Sequence, residues 1–114
     1  MKILLTLLVT TGLLFGDCYK VLYDHSVAAI QISHGASENM DAFYAHIELQ
    51  NLNNRRKSLA DFLPSGTKLC VIPNTYSAWN YVVKAKIDDE IYWVNTAAWA
   101  TDLSGHHSLD KINN

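Results

Sequence analysis

The stretch from Trp79 to Val94 constrains this chain most. Tyr81, Val83, Ala85 and Ile87 recur at every second position, Asp88-Asp89-Glu90 interrupts them, and Ile91-Tyr92-Trp93-Val94 resumes the apolar run. A period of two places one set of side chains on one face of a strand. Two such runs joined by a short acidic turn predict a β-hairpin with Tyr81, Val83, Ala85 and Ile87 sharing a face. A chain committed to that hairpin needs further strands to cover it, because an isolated pair is marginal in water.

The remaining sequence supplies candidates. Tyr19 to Tyr23 and Val27 to Ile32 read as strands, and Pro64-Ser65-Gly66 reads as a turn into a strand over Thr67 to Ile72, which Pro73-Asn74 ends. Phe43, Ala45, Ile47 and Leu49 alternate with Tyr44, His46 and Glu48 and are expected as a further strand. A helix is the alternative there, with Ser37 as cap and Met40, Phe43, Tyr44 and Ile47 at helical spacing. There are no repeats, low-complexity tracts or Pro- or Gly-rich linkers. The fold class expected is mainly β.

At the N-terminus, Lys2 precedes an apolar run from Ile3 to Phe15, closed by Gly16 and Asp17. That is the pattern of a secretory signal peptide over residues 1–16. The run is shorter than the ~20 residues a membrane span requires, so no stable span is expected after cleavage. Acylation of Cys18 is the lipoprotein alternative, against which Asp17 stands where a small residue is needed. Removing the leader leaves a length appropriate to one domain.

Two cysteines, Cys18 and Cys70, follow the leader. In an oxidising compartment they have one intramolecular pairing. It closes a loop of about 53 residues and is worth roughly 3–4 kcal/mol on the chain-entropy account. A buried free thiol at Cys70 and a link to another chain are the alternatives. Zinc-type spacing is missing, and no cofactor or metal is implied.

Nine Lys and Arg against eleven Asp and Glu give a net charge of −2. The positive residues are scattered except for Arg55-Arg56-Lys57, read as a solvated turn, which disfavours nucleic acid as a partner.

From about Ile47 to Trp99 the chain resembles a bacterial SH3-type domain. Leu63-Pro64-Ser65-Gly66-Thr67-Lys68-Leu69 is similar to the leucine, proline, any residue, glycine, threonine, lysine, hydrophobic pattern that starts that family's second strand. Trp79-Asn80-Tyr81-Val82-Val83-Lys84 resembles its Trp-Tyr-x-Val strand, and Tyr92 to Trp99 resembles its closing segment of Gly-Trp-Val, small residues and an aromatic. Tyr92 replaces the usual Gly, and Leu52-Asn53-Asn54-Arg55-Arg56 lacks the Gly and Pro of the family's upstream loop. Residues 18–41 have no counterpart and are read as an added hairpin or strap. The resemblance implies a small SH3-like β-barrel over 17–104 with an N-terminal extension, and residues 105–114 are read as a flexible tail.

The family commonly binds peptidoglycan peptides or protein partners outside the cell membrane, which implies an exported module, periplasmic or secreted. The residues agree in kind, since large aromatics with polar handles anchor small interfaces. Tyr76, Trp79 and Trp99 are the candidate ligand-binding residues, because aromatics near loops are the ones left exposed. A second class is a small secreted inhibitor or immunity-type protein that blocks a wall-degrading enzyme or an effector. Enzyme readings are weaker. Cys18 with His25, His34 or His46 could be drawn as a thiol and base, but a cysteine so close to a terminus is poorly held in register. His106-His107 as metal ligands and Asp88-Asp89-Glu90 as hydrolytic carboxylates each have a plainer reading, as a solvated tail and as turn residues.

Overall fold

A computed structural model describes residues 17–96 and 108–112. The elements are β1 (Cys18–Val21), β2 (Ala28–Gln31), α1 (Ala42–Asn53), β3 (Asp61–Phe62), β4 (Lys68–Val71), β5 (Val82–Ile87), β6 (Glu90–Asn95) and β7 (Leu109–Ile112). A single 3-10 turn, Gly35–Ser37, precedes α1. The described strands form one antiparallel sheet in the order β3-β2-β6-β5-β4-β1-β7, curled into a half-barrel. The protein is mainly β, as its alternating sequence predicts.

The hairpin is the centre of this sheet. β5 and β6 pair continuously from Val82↔Asn95 to Ile87↔Glu90. Asp88 and Asp89 take φ of 48° and 68°, the two left-handed residues of a primed hairpin turn, whose twist matches that of the strands. Val83, Ala85 and Ile87 face one core together with Val21, Leu69 and Val94. That core draws on both outer and central strands, and the sheet curls because only curvature lets those side chains meet. Burying each large aliphatic there contributes about 1.5–3 kcal/mol.

Val82 and Trp93 face the other way, into a second core with Ile30, Ile32, Ala45 and Leu49. Here the structure corrects the sequence reading, because Phe43 to Leu49 is not a strand but part of α1. Asp41, rather than Ser37, caps the helix: its carboxylate accepts from the Tyr44 N–H at 3.0 Å, satisfying one orphan donor of the first turn. Ala42, Ala45, Leu49 and Leu52 form the stripe that meets the sheet. Phe43, which the alternation places inward, is 56% exposed. Trp93 is 6% exposed, and its Nε1–H donates to the Met40 carbonyl at 2.9 Å, tying the approach to α1 onto β6.

Residues 18–41 are not an added hairpin. β1 pairs with β4 and β7, whereas β2 pairs with β3 and β6, so the segment puts one strand into each half of the sheet. Within 105–114, read from the sequence as a tail, Leu109–Ile112 instead form β7, in register with β1 from Cys18↔Ile112 to Val21↔Leu109. Leu109 lies in the first core, which supplies the apolar contact a frayed tail lacks. Cys18 and Cys70 are direct partners in the β1–β4 ladder and are joined by a disulfide.

Candidate functional site

The connection between β4 and β5, residues 72–81, holds three of the exposed aromatics among the described residues. Proline at 73 and Asn74, with φ of 64°, end the strand and turn the chain outward. The Thr75 hydroxyl then donates to the Ile72 carbonyl at 2.7 Å and accepts from the Lys84 N–H at 3.0 Å. Farther out, Ser77 N–H donates to Val82 O at 2.8 Å, and the Asn80 side-chain amide donates to the Ser77 hydroxyl at 3.1 Å. Thr96 N–H closes the base of the loop by donating to Tyr81 O at 3.0 Å. A loop whose own backbone is bonded in this way can present side chains in fixed positions.

Three aromatics stand on it. Trp79 is 90% exposed, and Tyr76 and Tyr81 are each 59% exposed. Trp79 and Tyr76 were expected at a ligand surface, and both lie on the surface of this loop. Trp99, the third expected residue, lies outside the described residues.

Tyr81 departs from the sequence reading. It does not continue the row of Val83, Ala85 and Ile87, because β5 begins at Val82 and Tyr81 has a φ of 54°. The left-handed conformation is costly for a bulky residue and breaks the alternation. Its ring therefore turns toward α1, 6.4 Å from the His46 ring. No period-two pattern could have signalled this.

Two hollows flank the loop, one on each face of the sheet. The first, about 220 Å³, is lined by Asp17, Tyr19, Val71, Tyr76, Val83 and Thr96. A second, about 210 Å³, lies between α1 and the start of β5, lined by His46, Leu49, Gln50, Asn53, Tyr81, Val82 and Asn95. Tyr76 and Tyr81 thus serve opposite faces, with Trp79 in the turn between them.

A polar cluster lies at the far end of the hairpin. The Glu90 carboxylate accepts from the Ser33 hydroxyl and from the Gln31 amide at 3.0 Å, and His34 Nε2 stands 2.8 Å from its Oε2. These contacts hold its pKa below the ordinary carboxylate value, with the Ser33 hydroxyl the largest cause and His34 the next. Serine and histidine both turn to the same carboxylate, and the arrangement staples the end of β2 and the residues after it to the hairpin.

The thiol-and-base reading also loses its parts, because Cys18 is bonded to Cys70. His25 packs on Phe62 at 5.5 Å, His34 on Glu90 and His46 on Tyr81, so the three histidines are held separately. His106 and His107 lie outside the described residues. Arg55, Arg56 and Lys57 are exposed just beyond α1, consistent with a solvated turn. Comparison with protein families, curated proteins and solved structures finds no significant match to this chain.

Proposed function

We propose that this protein is an exported, SH3-like binding module of the cell envelope that recognises peptidoglycan through the aromatics of the 72–81 loop. The observation that carries the reading is Trp79. An indole left 90% exposed in a hydrogen-bonded loop contributes almost nothing to folding, since hydrophobic stabilisation scales with the apolar area removed from water. A partner that covers it gains that area at little ordering cost.

Export is supported by the leader-like pattern of residues 1–16, which lie outside the described residues, and is compatible with the Cys18–Cys70 bridge. The SH3-type likeness rests on the motifs between Ile47 and Trp99 and is compatible with a small, curled antiparallel sheet.

Co-sedimentation with purified sacculi tests the proposal. Retention of the protein, lost in Trp79→Ala while the far-UV spectrum and melting temperature stay unchanged, is the expected result. Failure of the wild-type protein to sediment, with one protein partner co-purifying through the same loop, would replace wall binding by the inhibitor class.

A further inference from the structure

We propose that the groove between α1 and the start of β5 is a subsite for a single uncharged sugar ring bearing an acetamido group. This deepens the wall-binding reading by assigning it a glycan contact, and it rests on that reading for its biological setting.

The lining carries the argument. Tyr81 and His46 supply two ring faces 6.4 Å apart and inclined by 50°. Gln50 and Asn53 from α1 and Asn95 from β6 line the same groove with carboxamides, and among the described residues that line it there is no Asp, Glu, Lys or Arg. A sugar ring has an apolar face of C–H groups that rests on an aromatic plane, and a rim of hydroxyls that both donate and accept. Carboxamides match that rim, because a carboxamide carries a carbonyl acceptor and two N–H donors. An acetamido substituent is itself an amide and pairs with them in the same way.

Charge decides against a charged peptide in this position. An ionised carboxylate or ammonium placed here would lose water with no Asp, Glu, Lys or Arg among the described lining residues to pair with it, which is unfavourable. Size points the same way. About 210 Å³ is below the ~300 Å³ at which pockets for drug-sized ligands begin, so the groove suits one ring and not an extended chain.

The fold places these groups together for an identifiable reason. Positive φ at Tyr81 swings the ring out of the sheet's alternation and over the helix. His46, Gln50 and Asn53 lie three and four residues apart, along one stripe of α1. The helical correction at residues 42–53 and the left-handed tyrosine are thus both needed to form the groove.

The test is a titration of the purified protein with a soluble tetramer of β-1,4-linked N-acetylglucosamine, followed by NMR. Saturable shifts of the Tyr81 and His46 rings and of the Gln50 and Asn53 side-chain amides are expected. Tyr81→Ala should weaken binding about tenfold, and Tyr81→Phe, which keeps the ring, should bind like wild type. Gln50→Ala, at an exposed helix position where alanine does not endanger folding, should also weaken binding.

Absence of saturation, unchanged affinity in both alanine variants, or a response at these residues to a synthetic stem peptide in place of the sugar would overturn the proposal. Sacculus sedimentation separates the two readings. Retention on sacculi without tetramer binding removes the sugar subsite and leaves the wall-binding module standing. Tetramer binding at these residues without retention leaves the subsite standing and removes the wall as its target.

Discussion

Glu90, the first residue of β6, joins the second strand of its hairpin to a segment that precedes it by 56 to 59 residues. Ser33, His34 and Gln31 all turn to one carboxylate, and the Ile91 N–H also donates to the Ser33 hydroxyl at 3.2 Å. Because these contacts favour the ionised form, folding and ionisation of Glu90 are linked. A carboxylate whose pKa is lowered on folding stabilises the protein above its ordinary value, here 4.5, and that contribution is lost as pH falls through the lowered folded value. Glu90→Gln removes the charge at every pH. Denaturant unfolding should therefore show the variant less stable than wild type at pH 7, with the gap closing progressively below about pH 4.5. A gap that stays constant down to pH 3 would mean that the charge of Glu90 does not carry the staple.

Among the elements, α1 shows how a single conformation at a terminus sets stability. Its C-terminus closes with Arg56 N–H donating to Asn51 O at 2.8 Å and Arg55 N–H donating to Leu52 O at 3.0 Å, a Schellman pair around Arg55 at φ 59°. That conformation costs an L-residue of this kind roughly 1–2 kcal/mol, and glycine avoids the clash at the expense of a looser unfolded chain. Arg55→Gly should accordingly raise stability by about 0.5–1 kcal/mol, read as a higher melting temperature. The same element marks where sequence reasoning succeeded and failed. β5 and β6 were legible because their apolar residues are large, β-branched or aromatic and face a packed core. The buried stripe of α1 was not, because two of its four members, Ala42 and Ala45, are too small to register beside Phe43 and Ile47. At the site, Trp79 and Tyr76 were legible as loop aromatics flanked by Pro73 and Asn74. The groove was not, since it needs both a helix read as a strand and a left-handed Tyr81.

Across the whole molecule, the order of the sheet makes its margin depend on β1. That strand comes first among the described residues and lies between β4 and β7, so the last strand reaches the sheet only through the first. The Cys18–Cys70 bridge, spanning 52 residues, fixes β1 to β4 covalently. Bridging Cys18 directly opposite Cys70 also fixes the register, and a slip of one residue would turn Val21 out of the core. Replacing both cysteines with alanine leaves no free thiol and restores the conformational freedom of the closed loop in the unfolded chain. It should cost roughly 3–4 kcal/mol on that entropic account. The loss should also be uneven. Lys111 at 3.4 Å from Asp17 is an exposed pair of little weight, so β7 depends chiefly on its ladder to β1. The β5–β6 hairpin shares the first core with Val21 of β1 and Leu109 of β7, but it and α1 are also held by the second core, which neither β1 nor β7 joins. In hydrogen exchange, the amides of β1 and β7 should lose protection together in the double variant, while those of β5, β6 and α1 retain most of theirs. Uniform loss across all strands would instead show the sheet to be one cooperative unit that the bridge stabilises globally.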